Sequence, residues 1–129
     1  MPKEPHANLS RRERQIMDVI YSHGLCTVQD VVDQLPDPPS YSAVRAMLRL
    51  LEEKGHLQHR QDGPRYVYQP IVPREKARES AMRQMLRTFF DGSAEQAVAT
   101  LLKVSGSEIS REELDRLAEL IDQTRKEGR

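Results

Sequence analysis

Ser40-Tyr41-Ser42-Ala43-Val44-Arg45-Ala46-Met47-Leu48-Arg49-Leu50-Leu51-Glu52-Glu53-Lys54-Gly55 reads as one short helix with clear ends. Pro38 and Pro39 cannot lie inside a helix, and Ser40 can cap one by accepting from a free backbone N–H. Gly55 supplies the left-handed residue that stops a helix, and Lys54 before it suits the negative end of the helix dipole. Val44, Met47, Leu48 and Leu51 recur at three- and four-residue spacing and make one buried face. Ser42, Arg45, Ala46 and Arg49 share the other face, which holds two arginines, small neighbours and no acid. Small residues let a helix approach base edges in the DNA major groove, and a guanidinium can bond two acceptors of one guanine. In isolation such a face reads first as the solvated side of an amphipathic helix, because charged outer faces are ordinary. The residues after Gly55 decide between the two.

Beyond Gly55 the period becomes that of strands. His56-Leu57-Gln58-His59-Arg60 and Arg65-Tyr66-Val67-Tyr68-Gln69 flank Gln61-Asp62-Gly63-Pro64, and an Asp-Gly pair between such runs signals a hairpin. A basic helix followed directly by a hairpin with Arg60 and Arg65 near its tip is the pattern of a winged helix. His59, beside Arg60, is expected to help the wing meet phosphate.

Upstream, Ser10 caps a first helix with Glu13 three residues on as in a capping box, and Ile16, Met17, Ile20 and Tyr21 form its stripe up to Gly24. Arg11, Arg12 and Arg14 read as solvated surface charge. Leu25-Cys26 is a short extended link. Thr27 caps a second helix with Asp30 as its box acid and Val28, Val31, Val32 and Leu35 as its apolar face. Pro36-Asp37-Pro38-Pro39 makes the turn into the organising helix. Helix, helix, proline-bounded turn, helix is the layout of a helix-turn-helix. Met1 to Asn8 is expected to be a loose polar tail.

Downstream of Pro70 and Pro73 the pattern is helical. Arg74 to Phe90 places Met82, Met85, Leu86 and Phe89 on one side, and Asp91-Gly92-Ser93 breaks the run. Ala94 to Val104 carries Val98, Leu101 and Leu102, and a third helix capped by Ser110 carries Leu114, Leu117 and Ile121. These helices total about 45 residues, too few for a self-sufficient core. Their stripes are best explained as a dimerisation module; packing back onto the winged helix of the same chain is the alternative.

Composition bounds the rest. Hydrophobic content of 37% with 31% charged residues is lean for a monomer of 129 residues, which again favours borrowing area from a second subunit. Twenty basic and twenty acidic side chains cancel, but they are unevenly placed. Gln15 to Asp37 holds four acids and no Lys or Arg, whereas Pro38 to Arg74 holds six bases against three acids. A local basic surface suffices for phosphates, because charge is screened within about 10 Å at ordinary salt. No apolar run approaches the roughly 18 residues of a membrane span, and the N-terminus has no signal-peptide pattern, so a cytoplasmic protein without membrane insertion is expected. Cys26 alone excludes an internal disulfide and reads as a small buried hydrophobe. No phosphate-cradling glycine loop, nucleophile motif or zinc signature is present, so neither an enzyme nor a cofactor is expected. His56 and His59, three apart on a strand, point to opposite faces and make no metal site with Cys26.

The run from Leu9-Ser10 to Tyr68-Gln69-Pro70 resembles the BlaI/MecI (penicillinase repressor) family of bacterial transcriptional regulators. The stretches that carry the likeness are Tyr41-Ser42-Ala43-Val44-Arg45 with Leu48, Leu51-Glu52-Glu53-Lys54-Gly55 and Tyr66-Val67-Tyr68-Gln69-Pro70. Phe90-Asp91-Gly92-Ser93 and Glu112-Glu113-Leu114 are similar to the family's C-terminal half. The resemblance implies a homodimeric repressor of an inverted-repeat operator. In antibiotic-responsive members it also implies a membrane sensor metallopeptidase whose signal leads to cleavage of the dimerisation domain. The corresponding place here is about Thr100-Leu101, where the family's Asn-Phe pair is absent. The copper-responsive branch carries paired C-terminal cysteines, which this chain lacks.

The expectation is therefore a mainly α fold with a small β-hairpin wing. A winged helix-turn-helix spans residues 1–73 and a helical dimerisation module 74–129. The DNA-facing set is Ser40, Tyr41, Ser42, Arg45, Ala46 and Arg49 with Arg60 and Arg65 of the wing. Arg45 is the candidate base contact, and Arg49, Arg60 and Arg65 are the phosphate holders. The competing readings are a winged helix that docks a partner protein and a repressor gated by a small ligand.

Overall fold

The computed structural model describes residues 9–128; the tail expected over Met1–Asn8, and Arg129, lie outside the described residues. Helices α1 (Arg11–His23), α2 (Val28–Gln34) and α3 (Tyr41–Glu53) precede strands β1 (Leu57–Asp62) and β2 (Arg65–Pro70). Helices α4 (Arg74–Phe89), α5 (Ala94–Ser105) and α6 (Arg111–Lys126) come after them. The chain divides into two compact units, one ending at Gln84 and the next beginning at Met85.

The first unit is a winged helix. Its helices start where their caps dictate. The Ser10 and Thr27 hydroxyls accept from the N–H groups of Glu13 and Asp30, and both carboxylates reach back to the cap N–H. Ser40 accepts from Ala43 N–H at 3.2 Å. At the far end of α3, Gly55 N–H bonds Glu52 O and His56 N–H bonds Leu51 O, each at 3.0 Å, with Gly55 at φ +87°. Those two bonds close the helix in a Schellman motif and turn the chain straight into β1.

Ile16, Met17 and Ile20 of α1, Val31 of α2, and Val44, Leu48 and Leu51 of α3 are all but sealed from solvent. Full burial of side chains this size contributes about 1.5–3 kcal/mol each. The half-buried Tyr21 donates its hydroxyl to Val72 O at 3.0 Å, anchoring the segment that leaves the wing. Ala77, early in α4, is also buried.

β1 and β2 pair antiparallel with Asp62 opposite Arg65, so the turn is only Gly63-Pro64. Pro64 cannot take positive φ, which excludes a type I′ turn. Gly63 at φ +63° takes the single positive position of type II′. The hairpin stands where expected, with Asp62 in the strand rather than in the turn. Leu25-Cys26 is more than a link. Cys26 N–H donates to Tyr68 O (3.0 Å) and Tyr68 N–H to Cys26 O (2.7 Å), adding a third edge to the wing.

In the second unit, Asp91 (φ +48°) and Gly92 (φ +81°) turn the chain after α4. Ser93 caps α5 and Ser110 caps α6. Neither α5 nor α6 buries a residue. Among the described residues, no helix is long and apolar enough to cross a membrane.

Candidate nucleic-acid interface

Burial along α3 alternates as the sequence requires. Val44, Leu48 and Leu51 are buried and Met47 is half-buried, while Ser42, Arg45, Ala46 and Arg49 are exposed. Ser40 and Tyr41 lie exposed at the start of the same helix. The core grips one side of α3 so that the other side is presented as a rigid stripe.

The cations of this surface are held loosely. Arg49 Nε lies 3.9 Å from Glu53, and Arg65 lies 4.0 Å from Asp62 across the wing turn, all on well-exposed side chains. Exposed pairs of this kind are worth about 0–1 kcal/mol, so a phosphate can displace either carboxylate at little cost. Arg45 and Arg60 make no hydrogen bond or ion pair among the described residues. The register puts Arg60 and Arg65 on one face of the hairpin, and His59, Gln61, Tyr66 and Tyr68 on the other.

The Tyr68 ring links the wing to α3. Burial pushes its phenol above the ordinary value and Glu52 adds to this, while Arg45 and Arg49 pull the other way. Tyr68 thus stands within electrostatic reach of the exposed arginines although only 4% of its surface is accessible.

Three contacts that shape this surface depart from the sequence expectation. Arg12, expected as solvated charge, donates to Pro36 O (3.0 Å) and Asp37 O (3.1 Å), fastening the turn in which Asp37 takes φ +50°. Lys54 reaches back to Glu13 at the start of α1. His59, expected to meet phosphate, instead sets its Nδ1 2.7 Å from both Glu52 carboxylate oxygens and stacks on Tyr66 with 4.2 Å between ring centres. The signal for the last is present in the spacing. Glu52 continues the stripe of Ser42, Arg45 and Arg49, and Gly55 folds the strand back beside it.

Cys26 is completely buried, and burial together with the Asp30 charge pushes its thiol up to about 11. No group of His, Cys, Asp and Glu able to hold a metal occurs among the described residues.

The apolar stripes of the later helices are open. Met82, Met85 and Phe89 of α4, Val98, Leu101 and Leu102 of α5, and Leu114 and Ile121 of α6 are exposed, while Leu86 and Leu117 are half-buried. Val104 and Leu120, outside the stripes expected from sequence, are exposed as well, by 75% and 64%.

Several known proteins are similar to this chain. The chain is similar to the penicillinase repressor of Bacillus licheniformis, 26% identical over 117 residues that cover 89% of this chain and 90% of that one. The solved DNA-binding domain of the repressor BlaI is 31% identical, covering 57% of this chain and 89% of that domain at a TM-score of 0.48. Bordetella bronchiseptica BpsR, whose DNA binding is regulated by 6-hydroxynicotinic acid, aligns at 15% identity over 95% of this chain and 79% of that one, at a TM-score of 0.47. The family model for the penicillinase repressor matches residues 9–123, nearly the whole length, and the chain belongs to the penicillinase repressor family of DNA-binding transcriptional repressors.

Proposed function

We propose that this repressor acts as a homodimer on an inverted-repeat operator, reading bases with α3 and holding phosphates with α3 and the wing. The observation that carries the reading is the α3 stripe: Ser42, Arg45, Ala46 and Arg49 exposed on a helix whose opposite side is sealed in the core. In this division of labour residues 1–73 read DNA and 74–129 join two readers. Arg45 contacts a base, Ser40, Tyr41, Ser42 and Ala46 line the approach, and Arg49, Arg60 and Arg65 take phosphates. The open apolar faces of α4, α5 and α6 support a second copy as their occupant. Two recognition helices on a two-fold axis then meet two half-sites.

Release by proteolysis belongs to the same reading. Cutting the joining helices removes the effective concentration that couples two weak readers. Thr100 and Leu101 lie in α5, one of the helices proposed to join the two copies. A membrane sensor metallopeptidase system is the proposed source of the signal.

The test is a titration of purified protein into the DNA immediately upstream of its own gene, beside random duplex of equal length, at two salt concentrations. Binding of one dimer per inverted repeat, far above random, is the expected result. Equal, weak and salt-sensitive binding to both would remove the operator claim. No binding by a folded dimer would promote a protein-docking role for the same surface.

A further inference from the structure

The stripe of α3 does not end at Arg49. Continuing three residues further it meets Glu52, a carboxylate at the edge of a surface otherwise made for phosphate. Left alone, Glu52 would leave the junction between helix and wing untied. It is not left alone. His59, on β1, brings Nδ1 to 2.7 Å of both its oxygens, and each side chain is two-thirds covered. An ionised carboxylate only accepts, so Nδ1 carries the hydrogen and donates it. The imidazole lies between this bond and the Tyr66 ring, 4.2 Å away and 20° from parallel, with Tyr68 tilted against it at 5.7 Å. Among the described residues, backbone bonds join α3 to β1 only through the Gly55 turn. The Glu52–His59 contact is a side-chain tie between the recognition helix and the wing beyond that turn.

We infer that His59 is a positioning residue for DNA recognition: through Glu52 it locks the wing to α3, so that helix and wing meet the duplex as one rigid reader. This rests on the DNA-reading role proposed above for α3 and the wing. Contacts that must be made together are weakened when the groups carrying them move independently, because ordering them is then charged to binding. The loss falls mainly on the operator, where helix and wing must both be in register. Random duplex needs no such register.

Two substitutions separate the bond from the ring. H59N keeps an N–H near the place of Nδ1 and gives up the stack; H59F keeps an aromatic face and gives up the bond. The probes are the DNA upstream of the protein's own gene and random duplex, with full-length protein and thermal melting of each variant. H59F is expected to lose about 5- to 10-fold in operator affinity while binding to random duplex changes less than about twofold and melting stays within a few degrees. H59N should remain within about threefold of the natural chain, and adding E52Q to H59F should cost the operator nothing more. Operator binding by H59F equal to the natural chain overturns the lock, as does H59N failing as badly as H59F. A natural chain that shows no preference for the upstream DNA overturns the repressor reading itself, an outcome visible before any variant is made.

Discussion

Lys54, just past the end of α3, places its Nζ 3.0 and 2.9 Å from the two oxygens of Glu13, the box acid at the start of α1. Glu13 is 7% exposed and also accepts from Ser10 N–H at 2.9 Å. One carboxylate therefore caps α1 and anchors the base of α3. Burial alone pushes the Glu13 carboxyl up, but the Ser10 backbone bond, Lys54 and the Ser10 hydroxyl outweigh it and hold the group below its ordinary value.

Glu13→Gln should therefore destabilise the fold by about 1–3 kcal/mol, less than the roughly 3–5 of a fully buried pair because Lys54 is partly exposed. The direction of the shift sets the pH dependence. A depressed carboxyl stabilises the folded state above its unfolded value of about 4.3, and that contribution fades as pH falls through the lower folded value. Urea midpoints of natural chain and variant should thus differ at pH 7 and converge toward pH 3. A constant difference across that range would mean that the carboxylate charge is not what stabilises.

Arg45→Ala and Arg65→Ala test the proposed separation of reading from holding. Losing a bidentate base contact costs about 1–3 kcal/mol on the operator and blurs one base position. Losing a phosphate contact weakens all sequences alike and reduces the salt slope by about one. Affinities on operator, single-base variants and random duplex at several salt concentrations decide it. If both variants lose equally on operator and random DNA, the division of roles fails.

Cys26 should be inert in the folded chain. Its thiol, raised to about 11, carries almost no thiolate at pH 8 and is sealed from reagents. Disulfide reagents should label it quickly in urea and only at the rate of unfolding without urea. For an acid whose folded value is raised, the sign runs the other way from Glu13: stability is intact below the unfolded value of about 8.5 and declines above it. Rapid labelling at neutral pH in the folded state would contradict the burial.

Legibility in the sequence depends on the distance between partners. Ser10 with Glu13, Thr27 with Asp30, and Ser40 with Ala43 are three residues apart, so caps and boundaries come from local chemistry. The α3 stripe is legible for the same reason, since burial of Val44, Leu48 and Leu51 settles what faces outward. Glu13 with Lys54 spans 41 residues and Arg12 with Pro36 spans 24, and no periodicity links such pairs. By local chemistry Lys54 belongs to the helix dipole and Glu13 to the cap; the ion pair between them is a product of packing. Cys26 opposite Tyr68 is likewise a pairing of a link with a strand 42 residues on, which only the fold brings together.

The apolar faces of the later helices give the final prediction. Phe89 is 75% exposed, Leu101 52% and Ile121 57%, on three consecutive helices of which two bury nothing. Exposed apolar area on this scale is uncommon in monomers, and contiguous patches mark interfaces. If a second copy covers it, Leu101→Lys combined with Ile121→Lys must bury two unpaired charges to keep the interface, which costs several kcal/mol. Sedimentation should then show the natural chain as a dimer and the variant as a monomer, while the buried Tyr68 and Cys26 of the winged helix report an intact fold. Operator affinity should fall by about 100-fold or more, because the second reader no longer binds at high effective concentration. Random duplex, which gains little from two readers in register, should lose far less. A variant that stays dimeric would move the interface off these faces, and a natural chain that sediments as a monomer would remove the dimer altogether.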